Sequence, residues 1–197
     1  MNIPENKNMN IINAALEVFS KYEYKNAITD DIAHKAGISK GLLFHYFKNK
    51  KSLYKYIFNY SSQKIIDALI DDEFYEIDDF FDLIIYSSRK KIKLLEDNPY
   101  ILDFFLRAIY YEDKDVEDII NPNISHILKV TFNEFFINID FSKFKDHIHP
   151  IDIYNMIFWM AEGYLNQNRR DKNKIVLDQI MVELEKWVQI LKPAVYK

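Results

Sequence analysis

Residues 29–47, TDDIAHKAGISKGLLFHYF, constrain this chain more than any other stretch: they read as two short helices joined by a tight turn, with basic residues on the second. Thr29 can accept a hydrogen bond from the free amides that begin a helix, and Asp30 and Asp31 complement its positive end. Ile32, Ala33 and Ala36 give this helix one narrow apolar face, and Gly37 stands where a left-handed residue commonly ends a helix. Ser39 is a good N-cap for the second helix, in which Leu43 and Phe47 lie four residues apart and point together into a core. Lys40, Gly41, Phe44 and His45 are left on its other faces. Upstream, Ile12, Ala15, Leu16 and Phe19 repeat at helical spacing, so a longer helix packs over the pair. The result is a three-helix head of roughly fifty residues with a helix-turn-helix layout.

Charge separates the head from the rest. Residues 1–60 hold nine Lys and five Asp or Glu, a net of +4, while residues 61–197 carry a net of −8, within a total of −4. A basic head on an acidic body suits attraction to phosphate at one end only. The plainer alternative, a helical hairpin whose lysines merely keep it soluble, does not account for that asymmetry.

The run IINAALEVFSKYEYKNAITDDIAHKAGISKGLLFHYFKNKKSLY resembles the DNA-binding head of the TetR (tetracycline-repressor) family of bacterial transcription regulators. The order is the same: helix, aromatic-containing turn, Ile-Ala pair, Ala-Gly-Ile-Ser, Lys-Gly, aromatic cluster ending in Tyr-Phe, then Lys-Asn-Lys. Leu42 stands where the family often has a small polar residue, and Phe44 where it often has Tyr. The resemblance implies a DNA-binding domain over 1–48 and a helical effector-binding and dimerisation domain over 49–197. DNA contacts are then expected from Thr29, Lys40, Gly41, Leu42, Phe44, His45, Tyr46, Lys48 and Lys50. An apolar Leu42 beside Phe44 suits a thymine methyl better than a guanine edge, and Lys40 is the alternative guanine contact. Lys50 is expected on backbone phosphate.

Three glycines and five prolines leave few turn signals, and no stretch alternates strictly enough to favour sheet, so the fold class is all-α. With no cysteine there is no disulfide framework, thiol nucleophile or zinc finger, in keeping with a reducing cytoplasm. No apolar run approaches twenty residues, and the opening MNIPENKN lacks a signal-peptide pattern, so no membrane segment and no export are expected. Acidic runs at Asp71–Glu73 and Glu112–Asp118 read as solvated helix ends and loops.

The body should begin with a long helix from near Asn49 to Asp71, carrying Leu53, Ile57, Ile65 and Leu69 inward. Further helices are expected over 78–97, 99–111, 124–139, 150–167 and 174–191, with Pro99, Pro150 and Pro193 at their edges. Tyr154, Ile157, Phe158, Ala161 and Leu165, and then Leu177, Ile180, Met181, Leu184, Trp187 and Val188, form two apolar stripes that a two-fold four-helix dimer would cover. TetR-like proteins dimerise through their last two long helices, so the resemblance favours a homodimer over a monomer that folds one helix onto the other.

The middle of the body is rich in aromatics, most of them expected in the core. Arg89 and Arg107, two of only four arginines, fall within strongly apolar helices and must snorkel outward, pair with an acid such as Glu162, or face a ligand. The resemblance implies a small-molecule pocket, for which Tyr86, Arg89, Phe105, Arg107, Tyr111, Phe132 and Trp159 are the candidate lining. An arginine inside it would favour fatty-acid-like or acyl effectors; arginines turned to solvent would favour neutral or cationic aromatic ones.

His147 and His149, in an expected loop before Pro150, lack a third close ligand, so no metal is expected. Without cysteine, a Gly-framed serine or a nucleotide loop, no reaction and no cofactor are expected either. The sequence supports a transcriptional regulator, a repressor released from a palindromic operator by a small-molecule effector. A DNA-bound scaffold controlled by a protein partner, or by no ligand, is the competing reading.

Overall fold

The computed structural model describes residues 3–110, 113–120, 132, 134–171 and 176–197. Their helices are α1 (Glu5–Lys21), α2 (Thr29–Lys35), α3 (Lys40–Phe47), α4 (Lys50–Leu69), α5 (Asp72–Glu76), α6 (Phe80–Asp97), α7 (Pro99–Tyr110), α8 (Pro150–Arg170) and α9 (Leu177–Val195), with 3-10 turns at Tyr24–Asn26 and Phe141–Lys143. Among the described residues there is no strand, only one isolated bridge between Phe144 and Tyr196. The protein is all-α. It divides into two compact units, Met1–Ile66 with Leu95–Leu128 and Asp67–Leu94 with Lys129–Lys197. The division falls inside α4 and α6 and does not coincide with a cut after residue 48.

The first unit is assembled on α1. Ile11, Ile12, Ala15, Leu16 and Phe19 are all buried on its inner side, where α2 and α7 pack against it. Aromatic rings then lock α1, α4 and α7 together. Phe19 meets Tyr54 edge-on at 5.0 Å, Tyr54 meets Phe104 at 5.2 Å, and Phe58 meets Phe105 at 5.2 Å. Such rings bring large buried area and a fixed mutual angle. The Arg107 Nε–H donates to the Ser20 carbonyl at 2.9 Å, placing a cation against the last turn of α1, where the helix dipole favours one.

The second unit has an aromatic centre. Phe80 packs on Phe136 (4.8 Å) and Phe144 (5.3 Å), Phe81 packs on Tyr196 (5.3 Å), and Phe132 packs on Phe136 (4.8 Å) and Tyr154 (5.7 Å). Asp79 organises its polar edge. Its carboxylate accepts from the amides of Phe81 (3.0 Å) and Asp82 (3.2 Å), capping α6, and from Lys192 of α9 at 3.0 Å. Burial alone would raise its pKa, but the Lys192 hydrogen bond and the two amides outweigh burial and hold the carboxyl below its usual range. Asp71 caps α5 through the Phe74 amide (3.0 Å) and also takes bonds from Lys90 and Tyr86, which bring its pKa to about 2.

Three local expectations change. Thr29 is the first helical residue of α2, not its cap; Ile28 holds the cap position and no side chain bonds the free amides. Pro193 lies inside the last turn of α9 rather than at an edge, where its missing N–H faces Gln189 on the exposed side of the helix. The acidic stretch after α4 opens a separate helix, α5, whose amino end suits Asp72 and Glu73. Most of the helix expected over 124–139 lies outside the described residues; its described end stops at residue 135, before a turn at 136–138.

Asp79→Asn should cost about 1–2 kcal/mol at neutral pH, since it removes a charged cap and the partner of Lys192. The folded pKa is depressed, so the wild-type advantage exists above the unfolded value of about 3.9 and disappears as pH falls through the folded one. Urea unfolding at pH 7 and below pH 3 checks this: the gap between the two proteins should close in acid.

Candidate functional site

The turn between α2 and α3 is closed as its sequence dictates. Gly37 takes φ +68°, and the Ile38 amide reaches back to the Ala33 carbonyl (3.0 Å) while the Gly37 amide reaches His34 (3.1 Å), a Schellman closure. Ser39 Oγ then accepts from the Leu42 amide at 3.2 Å and starts α3. Ala33 and Ala36 are buried with Ile32, so the two helices meet through small residues. Leu43 and Phe47, 0% and 2% exposed, anchor α3 from below.

That anchoring fixes what α3 presents. Gly41 and His45, four apart, stand exposed on the outer side; Lys40 and Phe44 flank them on one edge, Leu42 and Tyr46 on the other. Phe44, Leu42 and Tyr46 are half-buried, and His45 stacks edge-on against Tyr46 at 5.7 Å. A Cβ on Gly41 would meet nothing within 4 Å, so nothing inside the chain requires a glycine there. Lys40 bridges to Asp30 at 2.9 Å, a pair exposed enough to exchange for phosphate at little cost.

The lysines that follow differ from one another. Lys48 is exposed, and among the described residues no partner holds its ammonium. Its backbone is unusual: φ is 61° and ψ −49°, and the Asn49 amide closes on the Phe47 carbonyl at 2.6 Å, a γ-turn of the rare, strained hand. Asn49 Oδ1 accepts from the Ser52 amide at 2.8 Å and so begins α4. Lys50 turns back, its ammonium 4.6 Å from the centre of the Tyr24 ring and 3.2 Å from the Lys25 carbonyl. Desolvation lowers its pKa, partly opposed by Asp113 and Asp115.

The effector candidates are divided between the two units. Phe105 and Arg107 belong to the first unit, Tyr86, Arg89, Phe132 and Trp159 to the second, and Tyr111 lies outside the described residues. Arg89 faces outward and pairs with Glu185, not Glu162, at 2.7 Å. Arg107 is bonded to Ser20, Tyr86 donates to Asp71 at 2.6 Å, and Phe132 is packed into the aromatic centre. Trp159 is 61% exposed on α8, beside exposed Met156 and Gly163 at helical spacing.

The association candidates divide as well. Ile157, Leu177, Met181 and Leu184 are buried within their own chain, while Tyr154, Phe158, Ala161, Leu165, Ile180, Trp187 and Val188 are half-buried. Tyr164 and Trp187 meet at 6.3 Å, joining α8 to α9. The exposed large apolar residues of the two helices are Ile151, Met156 and Trp159 on α8 and Val182 and Ile190 on α9, which the hydrophobic stripes do not contain. His147 and His149 are exposed in the turn before α8.

Residues 11–57 match the family model described as bacterial regulatory proteins, tetR family. Over 66 residues the chain is 33% identical to a fatty acid metabolism regulator protein of Bacillus subtilis (strain 168), a match spanning 34% of each chain, about a third of that relative's length. In fold it resembles the fatty acid degradation regulator FadR of Bacillus halodurans (TM-score 0.72, 18% identity, 94% of this chain and 95% of the other). It also resembles the FadR of Bacillus subtilis solved with stearoyl-CoA (0.67, 20%, 90% and 97%). A third likeness is to NalD, a repressor of a multidrug efflux pump in Pseudomonas aeruginosa (0.65, 13%, 98% and 98%). Among the described residues no helix is long and apolar enough to cross a membrane. Residues 11–57 thus carry the DNA-binding head of the tetR family of bacterial regulatory proteins, and the rest of the chain follows the fold of these regulators.

Proposed function

We propose that the protein is a cytoplasmic homodimeric repressor that occupies a near-palindromic operator and is released from it by a small-molecule effector. The observation that carries this reading is the outer side of α3, where an open Gly41, an exposed His45 and a free Lys48 ammonium stand together on an anchored helix. Lys40, Leu42, Phe44 and His45 read base edges, and Thr29, Tyr46 and Lys48 hold backbone. Lys50 joins them only by leaving Tyr24 and the Lys25 carbonyl. Two copies joined through α8 and α9 set two such helices about one turn, roughly 34–36 Å, apart. The effector is a compound with a long apolar chain and an acidic end. That class is supported by the stearoyl-CoA bound to the B. subtilis neighbour; neither arginine holds the acidic end, since Arg89 pairs outward with Glu185 and Arg107 with the Ser20 carbonyl.

Selection of binding sites from random DNA tests the whole reading: a two-fold symmetric consensus is expected, and recovery of no sequence preference would reject it. Release of the selected duplex by acyl compounds, read by anisotropy, tests the effector.

Lys48→Gly should separate stability from binding. Glycine relieves the positive φ and should raise stability by roughly 1 kcal/mol, while losing one charge on phosphate should weaken all sequences alike and flatten the salt dependence by about one unit of slope. Urea unfolding and salt titrations of a fixed duplex read the two effects; a gain in stability with unchanged slope removes Lys48 from the interface.

Trp159→Glu should abolish association without unfolding the chain, because the indole is 61% exposed within one protomer. Leu184→Glu should instead unfold it, since Leu184 is buried in its own chain. Sedimentation at micromolar concentration, with circular dichroism as the folding control, distinguishes them: a wild-type monomer, or a dimeric Trp159→Glu protein, rejects this face.

A further inference from the structure

Phe80, Ile84, Ser87 and Lys91 follow one another on α6 at spacings of four, three and four, and so share one side of the helix. The first three are 0%, 7% and 6% exposed, which makes this the inward side. A lysine in its middle breaks the pattern, because a charge on such a face is costly unless something pairs with it. Among the described residues nothing does: Lys91 has no hydrogen bond and no ion pair. Its neighbours on α6 are engaged outward, Lys90 with Asp71 and Arg89 with Glu185. One turn before it, Ser87 Oγ is buried and has no partner either. One cationic group reached by water and one buried hydroxyl donor, a turn apart on the same side of α6, thus have no partner among the described residues.

The surroundings of Lys91 add a second argument. The residue is exposed to water, yet desolvation by the protein around it pushes its pKa down, with no acid offsetting the effect.

We infer that Lys91 and Ser87 form the recognition point for the anionic end of the effector, Lys91 pairing with a carboxylate or phosphate oxygen and Ser87 donating to a neighbouring oxygen. This inference rests on the proposed release by an effector with an apolar chain, and it gives the acidic end of that molecule a place. A carboxylate of a free fatty acid and the phosphates of an acyl thioester offer the same charge to Lys91.

Isothermal titration of the full chain with myristate, myristoyl-coenzyme A and tetradecanol separates the possibilities. Lys91→Met should weaken whichever anion binds by roughly ten- to a hundredfold and leave tetradecanol unchanged, and Ser87→Ala should weaken it less. Lys93→Met, exposed on the opposite side of α6, should bind as wild type. Loss of myristate identifies a carboxylate partner; loss confined to myristoyl-coenzyme A identifies phosphate. Without ligand, Lys91→Met should melt no lower than wild type, because it removes an unpaired desolvated charge; this also shows that the variant folds. Anion binding unchanged in Lys91→Met overturns the inference while leaving the effector reading intact. If none of the three compounds binds the wild type, the apolar-chain effector reading itself fails, and the inference with it.

Discussion

Everything in the first unit depends on Phe104 being seated between Tyr54 and Phe58. Phe104 is fully buried, its ring 5.2 Å from Tyr54 and 6.3 Å from both Phe19 and Phe58, so one side chain of α7 touches rings of α1 and α4 together. Removing a ring of this kind from a core typically costs about 3–5 kcal/mol. The exposed ion pairs of the same unit, Glu17 with Lys21 and Lys35, are each worth about 1 kcal/mol or less. Packing, not charge, therefore fixes where the head's first helix sits. The helix-turn-helix inherits that position, because α2 packs on α1 and α3 packs on α2.

The sequence was most legible where the chemistry is local. Gly37 at positive φ, Ser39 bonding the Leu42 amide, and the inward pair Leu43 and Phe47 all follow from residue type and spacing, and the structure has each of them. Residue type alone does not fix where a helix begins. Thr29 is as good a cap by type as Ser39, but the backbone enters α2 one residue earlier. A lysine gives no signal of a left-handed γ-turn, so the strain at Lys48 could not be anticipated although its place after α3 could.

In the body, type and rarity were weaker guides than face. Arg89 and Arg107 drew notice because arginines are scarce, yet one pairs on the surface with Glu185 and the other clamps the end of α1. Lys91 is one lysine among many, and only its register with Phe80, Ile84 and Ser87 distinguishes it; that register could have been read from the sequence by asking which charged residue falls on a buried side. The same distinction applies to the stripes of α8 and α9. Spacing shows that Leu184 and Trp159 lie on apolar helices, but burial separates a residue its own chain has covered from one still uncovered. Stripes built from the most hydrophobic positions select the first kind; Met156 and Trp159 lie on the remaining faces of α8, which make that helix apolar nearly all round.

α6 passes into α7 through a single residue. α6 ends at Asp97 and α7 begins at Pro99, with the Ile101 amide donating to the Asn98 carbonyl across the joint, so the two helices share a short, bonded connection. α7 is in turn held to α1 through Phe104 and the Arg107–Ser20 bond. An effector held at Lys91 changes DNA affinity only to the extent that it binds one position of α6 better than another, and equal affinity for both would shift nothing however tight the binding. An unpaired Lys91 provides such a difference: the arrangement that brings the ammonium onto the ligand's acidic end gains a charged hydrogen bond, and any arrangement that draws it away returns to an unsatisfied cation.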